Sequence, residues 1–582
     1  MTDAVAPPPP ASAPGASAAS PRVGEAGIAL ALFVGTALLV GLTSESVGFT
    51  RDEGYYFKAA EDYFGWFREW AAAWGRGDLG APFSRAVIDR YWSYNHEHPV
   101  LMKALFGLSW GVLKEQWGLF SLHSTAFRFP AFLAAGLSVA FTYLLAREFL
   151  RRSTSVVAAL LWLSMPHAFW HMHLACFDVP VCAAHTWLVL TYVRGRHSWR
   201  GALVVGIAFG LGAAIKHNVL IVPGVLLIHW VMAEGSRVRR DGAFLILPPV
   251  PLAFLSMAVL GPLVFLAHWP YLWPDIAARY GWYLGFHLNH EHYPILYFGE
   301  LLTRPPFPHA FVYVMTAVTA PLALCVLMVL GTGMATYAGL RLTWRRYAGR
   351  PADEVTRVGL TSRHGDPTGW GALLLLGNAA FPFALWIPDT TPIFGGTKHW
   401  MNAMPFLCIL AAWALEEALQ RARSAWQRAA AVPWARAWGL AAALTVLPGF
   451  IMSARVHPYG LSSYNELVGF ARGAANVGFQ RTFWGHEPRA VLPAINARTR
   501  ERGSIHFGDT NYDDWRMYVR DALLRKDMGF SNTVAGAAVA SVQPQGEFKD
   551  QWMDVVNSWA TTRPHAVVHV DGVPLLTVTF AP

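Results

Sequence analysis

Long apolar runs separated by short polar segments make up most of the chain. About eleven runs have the length and composition of transmembrane helices. They lie at 27 to 42, 127 to 146, 153 to 172, 177 to 193, 201 to 215, 218 to 234, 243 to 267, 310 to 340, 369 to 387, 401 to 419 and 435 to 454. The pattern predicts a polytopic α-helical membrane protein.

The apolar stretch from Val100 to Phe120 has a different character. It carries Lys103, Trp110, Lys114 and Trp117, residues typical of a helix that lies on the membrane surface. We therefore expect an interfacial helix here, within a first outer loop from 48 to 126.

The two ends of the chain differ from the apolar middle. Residues 1–25 are mostly rich in Pro, Ala and Ser and predict a disordered tail. After about 455, short apolar segments at 503 to 507, 536 to 542, 565 to 570 and 574 to 580 alternate with helical stretches at 487 to 501, 512 to 525 and 547 to 560. This alternation predicts a small α/β domain over 456–582, beside a transmembrane domain over 26–455.

Basic residues between the apolar runs predict the orientation. Only 14% of the residues are charged, well below the share in soluble domains. Arginines accumulate in alternate loops, which marks those loops as cytoplasmic. The clusters include Arg147, Arg151 and Arg152, then Arg194, Arg196 and Arg200, then Arg341, Arg345 and Arg346, then Arg421, Arg423 and Arg428. We therefore expect a cytoplasmic N-terminus, with the first loop and the C-terminal domain in the periplasm of a bacterial inner membrane.

The same distribution argues against nucleic acid as a partner. The net charge is +9, but the basic residues lie in short loop clusters and form no continuous basic surface. The four cysteines lie in or beside apolar runs, where a cysteine acts as a small hydrophobic residue.

Acidic residues at the outer ends of the predicted spans are candidates for chemistry. Asp52 and Glu53 follow the first span, and Asp178 opens the fourth. Ionisable residues are rare in membrane segments and mark functional sites. The simpler alternative is that Asp52 and Asp178 cap the N-termini of helices, with Glu53 in a first turn.

A His-Glu-His sequence at His96, Glu97 and His98 is a second candidate. These side chains, with a histidine from the 287 to 292 region such as His287, offer the nitrogen and oxygen ligands of a divalent metal ion. An interfacial loop rich in histidine and aromatic residues is the alternative.

Basic residues on the same face are Lys216, Arg304 and Lys398. Each can extend its charge to the lipid headgroups. Together with the carboxylates, they also provide what a site needs where an anionic leaving group meets a carboxylate base.

These segments, taken in order, resemble the GT-C membrane glycosyltransferases, most of all the protein O-mannosyltransferase and aminoarabinose-transferase superfamily. The resemblance covers about 25 to 485. It is carried by Asp52-Glu53, His98-Pro99-Val100-Leu101-Met102-Lys103, Arg128-Phe129-Pro130, Asp178, the segment from Gly395 to Pro405 and the segment from His457 to Gly469.

The resemblance implies a GT-C fold and transfer of a sugar, with inversion, from a polyprenyl-phosphate donor to a lipid, glycan or protein acceptor. In this interpretation Asp52 accepts the proton of the acceptor, while Glu53 and Asp178 position the acceptor or the base. The candidates for neutralising the departing phosphate are Lys103, Lys216, Arg304 and Lys398.

Two other classes stay open at this point. A secondary transporter or lipid flippase would place ionisable residues or broken helices near the middle of the membrane and often has inverted repeats, and no internal repeat is evident. A membrane anchor would instead leave the chemistry to Asp509, Asp513 and Asp514 of the C-terminal domain. A strand followed by a capped helix is the simpler interpretation of those aspartates.

Overall fold

The computed structural model describes most of the chain. The described residues are 21–234, 239–241, 244–246, 250–349, 360, 363–364, 366, 369–426, 428, 431–561 and 563–582. Residues 1–20 of the predicted tail lie outside this part. The first helix begins at Pro21, before the predicted boundary at 25.

The first half of the described chain is helical. Its helices are α1 (Pro21–Thr43), α2 (Arg51–Arg76), α3 (Arg85–Trp92), α4 (Leu101–Leu108), α5 (His123–Ala146), α6 (Arg152–Ser164), α7 (Pro166–His171), α8 (Asp178–Gly195), α9 (Trp199–Ile215), α10 (Val222–Glu234) and α11 (Leu252–Ala267). A two-stranded hairpin of β1 (Arg239–Asp241) and β2 (Phe244–Ile246) precedes α11.

The helices continue to residue 456. They are α12 (Ile276–Leu288), α13 (Phe311–Thr319), α14 (Leu322–Tyr347), α15 (Trp370–Ala384), α16 (Met404–Ala425) and α17 (Trp434–Val456). A second hairpin pairs β3 (Ile295–Tyr297) with β4 (Glu300–Leu302).

In the part of the chain that the structure describes, six helical segments are long and apolar enough to cross a membrane. They are Gly24–Ser46, His123–Ala146, His217–Glu234, Leu322–Tyr347, Lys398–Ala425 and Trp434–Val456. Three shorter apolar helices, Trp199–Ile215, Leu252–Ala267 and Trp370–Ala384, match three further predicted spans. In the described chain, the predicted spans at 153 to 172 and 177 to 193 belong to neither group. The helical membrane protein is therefore confirmed, whereas the number of crossings stays a prediction.

Prolines account for the departures from the predicted spans. The span predicted at 153 to 172 divides into α6 and α7 because Pro166 cannot continue the hydrogen bonding of the preceding turn. The span predicted at 310 to 340 divides at Pro321, between α13 and α14. The span predicted from 243 starts only at Leu252, after Pro251.

The predicted interfacial stretch is a helix that packs against α2. It consists of α4 followed by a π-helical segment, Ser109–Gln116. Gly107 approaches α2 so closely that an added Cβ would lie 2.2 Å from the Ala60 carbonyl oxygen. The Trp110 ring stacks on Phe127 at 5.1 Å, which ties this stretch to the start of α5.

The C-terminal region contains the α/β structure that the sequence predicts. Its elements are α18 (Phe470–Val477), α19 (Leu492–Arg498), β5 (Ser504–Phe507), α20 (Tyr512–Arg520), β6 (Gly529–Phe530), β7 (Val539–Val542), α21 (Lys549–Trp559), β8 (Ala566–Val570) and β9 (Val573–Phe580). The five strands form one sheet in the order β6-β5-β7-β9-β8. β5 pairs in parallel with β6 and β7, whereas β9 pairs antiparallel with β7 and β8.

The helix α20 of this region packs against α2 and the segment that leads into it. Phe49 stacks on Tyr518 at 4.4 Å, and its backbone N–H donates to the Tyr518 hydroxyl at 3.0 Å. Further along α2, Glu61 accepts from Arg516 at 2.9 Å and from Arg520 at 2.6 Å. Elements far apart in sequence therefore meet at the start of α2.

Candidate functional site

The first turn of α2 presents two neighbouring acidic residues. Thr50 is the N-cap, and its side chain and that of Glu53 form a capping box with each other's backbone N–H groups. Asp52 is therefore not the cap, as the simpler interpretation assumed. It lies in the first turn of the helix, at the positive end of the helix dipole.

Glu53 is fully buried, and its carboxylate is hydrogen-bonded to buried groups of the protein. Its carboxylate accepts from Arg128 Nε at 2.8 Å and Nη2 at 2.7 Å, and from the Ala175 N–H at 2.8 Å. Arg128 also donates to the carbonyls of Val47 and Gly48. This geometry fixes the segment before α2, so Glu53 is a positioning group for its neighbour.

Asp52, in contrast, is partly exposed and has one basic partner. Lys398 Nζ lies 3.2 Å from Asp52 Oδ2 and 3.8 Å from the centre of the Trp484 ring. Gly395 makes this packing possible, since its φ is +66° and an added Cβ would lie 2.7 Å from the Lys398 side chain.

A second carboxylate–ammonium pair lies at the start of α8. Lys216 follows α9, where the helix ends, and its Nζ lies 2.7 Å from Asp178 Oδ1. His171 Nδ1 lies 3.8 Å from the other oxygen of Asp178. Neither ring nitrogen of His171 has a hydrogen-bond partner among the described residues. Asp178 does not cap α8, because the N-cap residue is Phe177 and no side chain makes a capping hydrogen bond there in the described structure.

The two pairs form one polar centre. Lys398 acts electrostatically on Asp178 as well as on Asp52. Tyr56, one turn along α2, contacts Phe177 at 4.3 Å, and burial raises its pKa well above the usual value. The sequence-predicted residues Asp52, Asp178, Lys216 and Lys398 therefore come together.

Lys103 has a different environment from the other lysines. It is buried, and its ammonium group donates to the backbone carbonyls of Asn95 and His98 and to the Asn95 side chain at 3.0 Å. Burial lowers the pKa of Lys103 to about 7. Its described contacts hold the loop that carries Glu97.

Arg304 has different surroundings from these lysines. It is exposed in the segment between β4 and α13, and within the described chain it forms no ion pair with Asp52 or Asp178. The structure therefore does not join Arg304 to the predicted phosphate-binding group.

The predicted metal ligands do not converge. His96 is stacked between Tyr271 at 4.4 Å and Trp282 at 4.3 Å, and Glu97 accepts from its neighbour Asn95. His287 lies nearer, with its Nε2 2.8 Å from the Glu97 carbonyl oxygen and its ring 5.6 Å from that of His98.

Burial lowers the pKa of His287 to about 4, and it also lowers that of His98. No group of three histidine, cysteine or carboxylate side chains suited to a metal occurs in the described ranges. The residues present do not fit the predicted metal site.

Several residues of the site carry no recognisable sequence signal. Trp484 and His171 lie in ordinary aromatic segments, and the pairing of Arg51 with Asp509 at 3.1 Å joins opposite ends of the chain. Arg128 is different, because its Arg-x-Pro sequence opens the second predicted span. That position could have identified it as the partner of Glu53.

Asp513 and Asp514 have the simpler role that the sequence allowed. Asn511 caps α20 in a capping box with Asp514, directly after the strand β5. Asp513 accepts from Tyr94 at 3.0 Å. In the described contacts these two aspartates support the helix and its packing.

Comparison with known proteins gives one family match. Residues 112–264 match the family described as dolichyl-phosphate-mannose-protein mannosyltransferase. The resemblance to GT-C glycosyltransferases of the protein O-mannosyltransferase type is thereby confirmed. No curated protein matches the chain in sequence.

Solved structures that match this chain include two forms of one bacterial protein. ArnT from Cupriavidus metallidurans bound to undecaprenyl phosphate has a TM-score of 0.46 and 13% identity, over 94% of this chain and 97% of that chain. Its apo form has a TM-score of 0.48 and 13% identity, over 95% and 98%. The oligosaccharyltransferase AglB from Archaeoglobus fulgidus, in complex with an inhibitory peptide and a dolichol-phosphate, has a TM-score of 0.41 and 12% identity, over 91% and 71%.

Proposed function

We propose that the protein transfers a sugar from a polyprenyl-phosphate donor to an acceptor hydroxyl at the periplasmic face of the bacterial inner membrane. The observation that carries this proposal is the polar centre of Asp52–Lys398 and Asp178–Lys216. A carboxylate base beside two ammonium groups suits a reaction that takes up a proton and releases a phosphate.

The chemistry is a displacement at the anomeric carbon. The acceptor oxygen forms a bond to that carbon as the bond from the carbon to the phosphate oxygen breaks, and the bonding pair leaves with the polyprenyl phosphate. Asp52 takes the proton of the acceptor hydroxyl and stabilises the developing positive charge. A single displacement of this kind inverts the anomeric configuration.

Each lysine has a specific part in this scheme. Lys398 and Lys216 neutralise the departing phosphate, while Asp178 holds Lys216 in place at 2.7 Å. We assign Lys103 to the loop at 95 to 98, because its hydrogen bonds go to that loop. No step passes through a metal ion.

The helical part of the molecule suits a lipid-linked donor. An isoprenoid tail requires an apolar environment, whereas its phosphate requires cations near headgroup depth. Asp52, Asp178, Lys216 and Lys398 all lie at or beside helix ends. That placement favours the transferase over a transporter, whose ionisable groups would lie within the spans.

The direct test is transfer by purified protein in lipid, with radiolabelled polyprenyl-phosphate sugars and crude envelope acceptors. Asp52→Asn should lower turnover by about 10²–10⁴-fold, since it removes the base. Asp550→Asn, on an exposed residue of α21, is the matched control and should transfer normally.

Other results would change specific parts of the proposal. If Asp52→Asn transfers the sugar at the rate of the control, a group other than Asp52 is the base. Failure of the wild type to transfer or to bind any donor would favour a transporter. Retention of the anomeric configuration in the product, measured by NMR, would contradict the single displacement.

A further inference from the structure

A cleft opens beside the polar centre, where the start of α2 meets the C-terminal region. Arg51, Tyr293 and Phe394 line it on one side, and Trp484, Gln543 and Glu547 line it on the other. Because Arg51 directly precedes Asp52, the cleft leads to the proposed base.

The polar groups of the cleft are amides and carboxylates. Asp509 pairs with Arg51 at 3.1 Å, and Glu547 accepts from Gln480 Nε2 at 2.5 Å. Gln543 donates to Glu487 at 3.3 Å. Its other atom, Oε1, is buried and has no hydrogen-bond partner in the described structure. Such an atom is costly unless a ligand or water donates to it.

The charged groups of the cleft differ from those of the proposed phosphate site. The proposed phosphate ligands Lys216 and Lys398 are not among the described residues that line the cleft. In the cleft, the positive charge of Arg51 is already balanced by Asp509, and Glu547 adds a second carboxylate. The described lining thus has two acidic groups, Asp509 and Glu547, and one basic group, Arg51, so a ligand rich in hydroxyl donors is favoured over an anion.

Aromatic rings complete the lining. Tyr293 and Phe394 have their rings 5.2 Å apart, and Arg51 lies 5.3 Å from the centre of the Tyr293 ring. Trp484 supports Lys398 on its face and also lines the cleft. Aromatic rings offer apolar faces next to polar groups, a combination that suits the C–H faces and hydroxyls of a sugar ring.

We propose that this cleft binds a carbohydrate unit of the acceptor, so that the attacking nucleophile is a sugar hydroxyl. This inference rests on the proposed transferase function and adds the class of the acceptor. Gln543 and Glu547 accept hydrogen bonds from the sugar, and Trp484 places the ring beside Lys398 and Asp52.

Binding can be measured without turnover. The full-length protein in lipid nanodiscs is titrated with methyl glycosides of glucose, mannose, N-acetylglucosamine and arabinose, and with a serine-containing tetrapeptide, by saturation-transfer NMR. At least one glycoside should bind, and the peptide should not. Glu547→Gln and Gln543→Leu should each raise the dissociation constant by about ten-fold.

The control variant is Glu501→Gln, on an exposed turn of the same region, and it should bind as the wild type does. If Gln543→Leu fails to fold, Glu547→Gln still decides, because glutamine keeps the size of the side chain. Binding of the peptide alone, or glycoside binding that neither variant weakens, would overturn the inference.

Steady-state transfer separates the acceptor from the donor sugar. Glu547→Gln should raise the KM for the acceptor by about ten-fold and leave the KM for the donor unchanged. A rise in the donor KM alone would assign the cleft to the donor sugar and overturn the inference. Glycoside binding without any transfer would reject the transferase function but retain the cleft as a carbohydrate site.

Discussion

Asp52 and Glu53 are adjacent in sequence but have opposite surroundings. Glu53 is fully buried and bonded to Arg128 through both oxygens. Asp52 is partly exposed and has Lys398 as its partner at 3.2 Å. A base must be reached by its substrate, whereas a fully bonded carboxylate stabilises the structure around it.

This difference predicts the effect of Glu53→Gln. The substitution leaves the guanidinium of Arg128 buried without a counter-charge, so it should lower the free energy of unfolding by about 3–5 kcal/mol. Thermal unfolding of the purified protein in detergent measures the loss, with the exposed Glu501→Gln as control. Unchanged stability combined with lost turnover would instead give Glu53 a part in the chemistry.

At this scale the sequence identifies the ionisable groups better than their partners. Asp52, Asp178, Lys216 and Lys398 stand out because charged residues are rare at the ends of apolar runs. The Asp52–Lys398 pair joins residues separated by 346 positions, and no local pattern encodes such a contact. The stacking of His96 on Tyr271 and Trp282 has no local sequence signal either, because both rings come from a distant segment.

Among the elements, α2 connects the polar centre with the C-terminal region. Its first turn holds Asp52, and its outer surface pairs Glu61 with Arg516 and Arg520 of α20. These ion pairs and the stacking of Phe49 on Tyr518 keep the helix in one position relative to the sheet.

Glu61→Gln should therefore loosen α20 while the helices stay folded. The two pairs are partly exposed, so the loss should be about 1 kcal/mol, seen as several-fold faster tryptic cleavage of the C-terminal region. Glu69→Gln is the matched control, because Glu69 lies on the same helix and its described ion pair is with Arg76. Equal cleavage rates for the two variants would show that these pairs do not hold α20.

Periodicity predicts most of the elements, and prolines explain most of the errors. The strands β5, β7, β8 and β9 and the helices α20 and α21 lie within or beside the predicted segments. β6 consists of only Gly529 and Phe530, too short for an alternating pattern to be visible. The breaks before α7 and α14 follow from Pro166 and Pro321.

At the scale of the whole molecule, burial raises the pKa values of several carboxyl groups at the junction between the helices and the C-terminal region. Burial raises the pKa values of Glu487, Asp509 and Glu547 to about 7 each. Arg51 opposes this rise at Asp509, whereas Glu487 and Asp52 add to it.

Raised carboxyl pKa values make stability fall as the pH rises. Between about pH 4 and pH 7 the folded protein keeps protons that the unfolded chain has released, so the contribution is full below about pH 4 and is lost through about pH 7. The melting temperature should therefore fall by about 2–4 °C between pH 6 and pH 8.

The double variant Asp509→Asn/Glu547→Gln separates this effect from other titrations. It should flatten the fall in melting temperature, because asparagine and glutamine resemble the protonated side chains. The exposed Asp550→Asn should keep the wild-type slope. A double variant with the full wild-type slope would place the titrating groups elsewhere.

The bond between Arg51 and Asp509 spans 458 positions of the chain, and this separation has a consequence for biosynthesis. Synthesis runs from the N-terminus, so the segment beside Asp52 is made long before the residues that complete its surroundings. The contacts of Arg51, Gly54 and Phe49 can form only after their partners have been synthesised, which are Asp509, Asn511 and Tyr518. A chain interrupted during translation thus has its helices but lacks the contacts that complete the surroundings of Asp52.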